Sequence, residues 1–360
     1  MHIDFDYFYA QCEEIRNHSL RSVPVVVCVF SGRTEDSGVV STANYVARKQ
    51  GVKSGIPIKV AKSRLADNKE AVFLPVDMQY YSAISDRAMA LIESAADKFE
   101  KTGIDECFID VSGSVGTFIE AKKLAEKIRA NVKAEVALTC SIGVAPNKTI
   151  AKIASDYVKP GGLTVVEPSS VQQFISGLTV DKISGIGPKT RTRLGDMGVR
   201  TVSDLTRIDR FRLIEEFGKK TGTFIYDSAR GIDEDPVEDR RERKQIARIV
   251  TLKKDASASP EMLPDLAGLC RSVFDSAARN NIAFKTIGVF VILDDLDERS
   301  KSKSLRVHAS SYDILHSTAR ALLEQLMGSE GALRVRRLGV RLSDLQDAAG
   351  QNTMSQFMNG

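Results

Sequence analysis

The amino-acid sequence predicts a multidomain α/β (α+β) protein, and three stretches carry that prediction. Up to about residue 163, short Val- and Ile-rich runs of strand length alternate with segments whose apolar residues recur every three or four positions. Residues 164 to 231 are largely helical in pattern and contain Ile183-Ser-Gly-Ile-Gly-Pro-Lys189, a helix–hairpin–helix signature. The last hundred residues read strand (245–254), helix (260–280), strand (284–293), strand (302–309), helix (312–327), strand (333–342), the order of a ferredoxin-like split βαβ.

A chain of 360 residues has room for two to four domains at ~100–200 residues each. The 42% hydrophobic content suffices for packed cores. No apolar run approaches the ~20 residues of a membrane span and no signal-peptide pattern opens the chain, so a soluble cytoplasmic protein is expected. Cys12, Cys28, Cys107, Cys140 and Cys270 stand far apart with no Cys-x-x-Cys pair, which favours reduced, non-metal cysteines. A net charge of +4 permits a polyanionic partner without demanding one.

Taken in order, His2 to Phe5 starts as a strand and runs into a helix carrying Cys12 and Ile15. Residues 23–29 and 39–43 read as strands, and a helix then holds Tyr45 and Arg48, three apart on one face. Helices follow over 76–96 and 117–133, an apolar strand over 136–144, and a helix over 149–157 ended by the breaker run Lys159-Pro-Gly-Gly162. Between the first two of these helices lies Thr102-Gly-Ile-Asp-Glu-Cys-Phe-Ile-Asp110, with two adjacent acids leading an apolar strand. An arbitrary Asp-Glu pair is most often an exposed turn. Here Asp4, at the end of the first strand, supplies a third carboxylate facing Asp105 and Glu106. Like charges in low-dielectric surroundings need a cation or a proton. Oxygen-only ligands of this kind suit Mg²⁺ or Mn²⁺ better than zinc, and two such ions are the usual device for in-line phosphoryl transfer.

Asp4-Phe-Asp-Tyr-Phe-Tyr-Ala10 with Ile104-Asp-Glu-Cys-Phe-Ile-Asp110 resembles the Y-family translesion DNA polymerases, in particular the DNA polymerase IV-like archaeal type, and the similarity extends to about residue 345. The resemblance implies a right-hand polymerase with a palm (1–10 and 74–163), small fingers (11–73), a helix–hairpin–helix thumb (164–231), a charged linker (232–243), a little finger (244–342) and a tail (343–360). Its implied activity is template-directed addition of deoxynucleotides to a primer 3′ end, with low fidelity, synthesis past damaged templates and no proofreading. Asp4, Asp105 and Glu106, helped by the Phe5 carbonyl, would hold two Mg²⁺, with Mn²⁺ able to substitute. Tyr7, Phe8, Tyr9, Thr42, Tyr45, Arg48 and Lys159 would hold the deoxynucleoside triphosphate, Tyr9 would act as steric gate against ribose, and Val39 and Ser41 would roof the base pair.

For primer–template DNA, Gly185 and Gly187 let the backbone approach a phosphate closely, and Lys189 follows at a helix start. A looser second copy of this pattern runs through Gly218 and Gly222. From residue 241 to 341 there are 18 lysines and arginines against 12 acids, a net +6. Alternation places Arg337 and Arg341 opposite Leu338, Val340 and Leu342, and places Ser304, Arg306 and His308 opposite Leu305 and Val307, which suggests a basic sheet face. In the tail, Gln351, Met354 and Phe357 match the peptide that binds sliding clamps of the PCNA type; in a single tight turn Met354 and Phe357 fall on one side. A monomer is expected. Two rivals remain at this point: a nucleotide cyclase with a palm-like site, which needs no basic C-terminal module, and a catalytically inactive polymerase-like scaffold, which should lack one of the three acids.

Overall fold

The computed structural model describes residues 1–238, 244–328 and 333–348. The chain divides into two compact units, Met1–Val29 with Val39–Arg241, and Phe30–Gly38 with Glu242–Gly360. The chain begins with β1 (His2–Phe5), α1 (Phe8–Arg16), β2 (Val25–Phe30), β3 (Gly38–Ala43), α2 (Tyr45–Lys49), α3 (Ile58–Arg64) and β4 (Val72–Pro75). It continues through α4 (Met78–Glu93), β5 (Lys98–Lys101), β6 (Glu106–Asp110), α5 (Phe118–Val136), β7 (Cys140–Val144), α6 (Lys148–Tyr157) and β8 (Leu163–Val165).

A five-stranded sheet ordered β5-β6-β1-β7-β8 places β1 at its centre. Because side chains alternate along a strand, Ile3 and Phe5 enter a core shared with Tyr81, Ile92, Ala125 and Ile128 of α4 and α5. His2 and Asp4 face the other way, toward α6, which lies so close that a Cβ on Gly143 would sit 2.0 Å from the Ala151 carbonyl. The apolar stretch 136–144 does not form one strand as its composition suggests. Val132 and Val136 complete the buried face of α5, Ala137 ends that helix with φ 61°, and the strand starts only at Cys140. Residues 98–101, polar in sequence, pair with β6 as an edge strand. A second, three-stranded sheet (β3-β2-β4) includes β4, which hydrophobic periodicity does not mark.

The helical segment comprises α7 (Val171–Ser176), α8 (Pro188–Asp196), α9 (Val202–Thr206), α10 (Arg210–Phe217) and α11 (Lys219–Ala229). Gly187 precedes α8 as its N-cap with Pro188 in the first turn, a preorganised helix start. Gly185 has φ +103°, and the Phe224 ring lies 3.0 Å from where a Cβ would project, so neither the angle nor the space admits a side chain. At Gly222 a Cβ would meet the Leu213 carbonyl at 2.4 Å, so α10 and α11 touch backbone to backbone.

The charged stretch after α11 reads in sequence as a tether, but its described part is tied down. Asp233 accepts from the Thr149 amide (2.9 Å) and hydroxyl (2.8 Å) at the start of α6. Asn147 donates to the Gly231 carbonyl (2.7 Å), and Lys148 donates to the Pro236 carbonyl (3.1 Å) and to the buried Glu100 (2.8 Å).

The second unit contains β9 (Gln245–Ala256), α12 (Ser259–Arg279), β10 (Ile282–Leu293), β11 (Glu298–Ala309), α13 (Tyr312–Gly328) and β12 (Val335–Asp347). Its sheet, ordered β11-β10-β12-β9, inserts β12 antiparallel between β9 and β10, and β10 between β11 and β12, making two split β-α-β units. Leu338, Val340 and Leu342 join Met262, Leu266, Leu315 and Leu322 in one core, leaving Arg337 and Arg341 on the opposite face. The expected alternation fails at the end of β11: Val307 is 72% exposed. The register jumps there, from Thr286 opposite Ser304 to Phe284 opposite Ala309, so the bulged segment no longer follows the pleat.

Candidate active site

Antiparallel pairing sets Asp4 opposite Glu106 on one side of β1 and opposite Ser141 on the other. The Phe5 amide donates to the Asp105 carbonyl at 2.8 Å, which fixes the turn carrying Asp105 and Glu106 beside Asp4. Cations from α6 and the loop after it meet these acids. Lys159 Nζ lies 2.7 Å from Asp4 Oδ1 and 2.7 Å from Asp156, while Lys152 Nζ bonds Glu106 Oε2. Among the described residues, no three His, Cys, Asp or Glu side chains are gathered around one point as they stand. The backbone juxtaposes the three acids, and two of the side chains are paired with lysines.

Burial pushes the Asp4 carboxyl up, Lys159 opposes the shift, and Asp105 adds to it. Burial also pushes Asp105 up, with Glu106 adding to it. Glu106 moves the other way, to about 2, held down by His2 and by the Lys152 ammonium. His2 Nε2 stands 3.4 Å from Glu106 Oε2, longer than a normal hydrogen bond, and burial lowers the pKa of the imidazole itself. A neutral ring at that distance offers little, so we assign Lys152 the larger share. His2 is fully buried, its Nδ1 2.7 Å from Ser155 Oγ and its ring 4.6 Å from that of Phe108. An all-oxygen donor set, partly buried and already drawing ammonium groups, fits a hard divalent cation.

Around this centre, Tyr9 stacks on Tyr81 with ring centroids 4.7 Å apart, and Tyr7 meets Tyr45 edge-on at 5.1 Å. Arg48 lies 5.2 Å over the Tyr45 ring, its Nε donating to the Ala43 carbonyl at 2.8 Å. On β3 Val40 is buried, Thr42 is partly buried, and Val39 and Ser41 turn to the more open face. The Phe8 side chain is 2% exposed in the core against Phe5, and its amide lies in the first turn of α1. Asp6, outside the expected set, is buried and accepts from Ser141 Oγ (2.7 Å) and the Gly161 amide (2.8 Å), which holds the Lys159 loop against β1. Sequence reasoning likewise passes over His2, Glu14, Lys152, Ser155 and Tyr81; Lys148 and Lys152, one helical turn apart, are the signal it could use. Gly185, Gly187 and Lys189 lie at the start of α8, and Arg306 is exposed on β11. Gln351, Met354 and Phe357 lie outside the described residues.

A family profile described as the impB/mucB/samB family matches residues 3–156, its C-terminal domain matches 243–355, and a DNA polymerase-iota thumb domain matches 181–233. DNA polymerase IV of Nitrosopumilus maritimus is 46% identical over 357 residues, 99% of this chain and 98% of that protein. A solved Y-family DNA polymerase chimera superposes with TM-score 0.89 at 37% identity, covering 95% of this chain and 98% of that one. The chain belongs to the Y-family DNA polymerases. DNA polymerase IV of Methanosarcina acetivorans is 40% identical over 99% of this chain and 98% of its own length. The solved insertion ternary complex of Dbh DNA polymerase matches at TM-score 0.68 and 36% identity, covering 95% of this chain and 97% of that one. The polymerase is therefore a DNA-directed DNA polymerase of the translesion class, with a helix–hairpin–helix thumb and a C-terminal little finger, and its family is metal-dependent. No described helix is long and apolar enough to cross a membrane.

Proposed function

We propose that the polymerase extends a primer 3′ end along damaged as well as intact templates, with Asp4, Asp105, Glu106 and the Phe5 carbonyl as ligands for two Mg²⁺ ions. The observation that carries this reading is the trio itself: Asp4 set opposite Glu106 by strand register, Asp105 held beside them by the Phe5 amide, and lysines supplying positive charge to two of the three. Such ions, when bound, supply Lewis-acid stabilisation of the attacking and leaving oxygens. Lys159 is placed to exchange Asp4 for a nucleotide phosphate, and Arg48 with Tyr45 and Tyr7 to grip the triphosphate by charge-assisted hydrogen bonds. Thr42 lines the same strand, the amides of Phe8 and Tyr9 open α1 toward it, and the Tyr9 ring, stiffened by Tyr81, forms the floor under the sugar. Val39 and Ser41 roof the pair with small groups, which fits low fidelity and tolerance of lesions.

The domain division follows the same reading: palm 1–10 and 74–163, fingers 11–73, thumb 164–231, linker 232–243, little finger from 244 and then the tail; the boundary expected at 342/343 falls inside β12, which pairs with β10 as far as Asp347. Primer–template DNA is held by Gly185, Gly187 and Lys189 through backbone phosphates and by Arg306, Arg337 and Arg341 on the little finger. The match to Dbh DNA polymerase in its insertion ternary complex supports DNA and nucleotide as partners. A monomer working in the cytoplasm at the nucleoid, tethered by its tail to a PCNA-type clamp, completes the proposal. A primer-extension assay with Mg²⁺, or Mn²⁺ in its place, on intact and abasic templates tests it. Extension on both by the natural enzyme and on neither by Glu106→Ala is the expected result. Extension by Glu106→Ala at more than about a tenth of the normal rate, a deficit under ~1.4 kcal/mol, would refute the metal assignment.

A further inference from the structure

Tyr7 is one of few non-glycine residues here with positive φ (38°, ψ 44°), at the N-cap of α1. That left-handed conformation is unfavourable for an L-residue and persists only where surroundings over-determine it. Its side chain is anchored by Glu14. Seven residues on, two turns along α1 and therefore on the same face, the Glu14 carboxylate accepts from the Tyr7 hydroxyl through Oε2 at 3.0 Å. Its other oxygen, Oε1, accepts from Asn44 Nδ2 at 2.9 Å. Asn44 is 1% exposed and is the N-cap of α2: its Oδ1 accepts from the Ala47 amide (3.0 Å) and the Val25 amide (3.1 Å). The next residue is Tyr45, whose ring meets Tyr7 edge-on and lies under Arg48.

One carboxylate thus ties both halves of this aromatic and cationic set, the turn before α1 and the first turn of α2. It is only 7% exposed, and the hydroxyl and amide that donate to it are both neutral. Burying a carboxylate on neutral donors is expensive, and removing it alone would leave the partly buried Tyr7 hydroxyl without its acceptor.

We propose that Glu14 is a positioning residue for the incoming nucleotide, setting the separation of Tyr7 from Tyr45 and Arg48 without touching substrate. This rests on the reading of Tyr7, Tyr45 and Arg48 as the nucleotide grip. Three variants test it by steady-state incorporation of a matched deoxynucleotide: Glu14→Leu, Glu14→Gln and Tyr7→Phe. Losing a hydrogen bond to a charged group should raise KM in Glu14→Leu by about tenfold while kcat changes less than about threefold. Glu14→Gln should stay within about twofold of the natural enzyme, since its amide accepts from Asn44 and donates to the Tyr7 oxygen. Tyr7→Phe should raise KM as Glu14→Leu does, and the double variant should be no worse than either single one, because both remove the same link. An unchanged KM in Glu14→Leu, additive effects in the double variant, or a Glu14→Gln as impaired as Glu14→Leu would each overturn the inference. Should Glu14→Leu fold poorly in a thermal melt, Tyr7→Phe, which deletes one hydroxyl, and Glu14→Gln decide the matter. Arg48→Ala separates the two readings. If its KM is normal the grip lies elsewhere, whereas a raised KM beside a normal Glu14→Leu refutes only the positioning role.

Discussion

Among the described residues, Asp105 differs from its two neighbours in pairing with no lysine. Asp4 and Glu106 each contact an ammonium, whereas Asp105 is pushed up by burial first and by the Glu106 charge second. A carboxyl whose pKa rises on folding destabilises the fold when ionised; that cost is absent in acid and complete above its folded value. At neutral pH, then, Asp105→Asn should raise the melting temperature of the metal-free protein, while primer extension falls below a tenth. A metal-free melt that drops instead would show Asp105 to be a structural residue. Tyr9 is the second residue whose role has a sharp readout. In the proposed gate, stacking at 17° on the fully buried Tyr81 would restrain the Tyr9 ring from moving aside for a 2′-hydroxyl. Tyr9→Ala should therefore incorporate ribonucleotides at least about a hundredfold better relative to deoxynucleotides, the worth of ~2.7 kcal/mol of clash; unchanged discrimination in a competition assay would place the gate elsewhere. Asp4, Tyr7, Tyr9, Asp105 and Glu106 are readable as candidates because they stand in two short motifs. His2 and Glu14 are not, because what gives them meaning lies 153 and 30 residues away, at Ser155 and Asn44. A polar side chain with a distant partner leaves no periodic trace.

Among the elements, α6 links the most parts of the site. Lys152 reaches Glu106, Ser155 reaches His2, the chain leaving its C-terminus brings Lys159 to Asp4, and Asp233 binds the amide end. The helix itself is readable from its apolar periodicity, with Ile150, Ala151, Ile153 and Ala154 buried. The strap at its N-terminus is not. Residues 232–238 carry charge without period, and they are held through carbonyls, one carboxylate and Lys148 rather than through an apolar stripe. Composition therefore reads them as a solvated tether. The same limit explains Val307: alternation presumes an unbroken register, and the bulge at the end of β11 breaks it. If the strap is an integral cap, Asp233→Ala should lower the melting temperature by the equivalent of about 1 kcal/mol, as loss of an N-terminal helix acceptor does, and should speed hydrogen exchange at Thr149 and Ile150. Unchanged exchange there would mean that Asn147, which caps the Ile150 amide at 3.0 Å, is sufficient alone.

At the scale of the whole molecule the distribution of charge matters more than its total. The chain carries +4, yet residues 241–341 alone carry a net +6, so the remainder is slightly acidic. A grip on DNA concentrated in one module and made through phosphates is salt-sensitive and sequence-blind. The backbone contacts that Gly185 and Gly187 would add from the thumb are sequence-blind as well. An enzyme that holds its template this way should dissociate often, and a second attachment to the replication apparatus would offset that. Gln351, Met354 and Phe357 at the chain's end have the spacing of a clamp-binding peptide. Linkage to a clamp already encircling the DNA converts rebinding into an intramolecular event at an effective concentration of about millimolar, far above the concentration of free enzyme. Met358 stands where a second aromatic would add pocket area, so the expected affinity is modest and the effect should appear as processivity rather than as tight co-purification. Deleting residues 350–360 should leave distributive extension on a short primer–template unchanged and should abolish stimulation by the cognate clamp on a long, singly primed circle. Phe357→Ala should reproduce the loss, because Phe357 is the largest apolar group in the peptide. Full clamp stimulation of the truncated enzyme would assign that contact to another surface and leave the tail without a binding role.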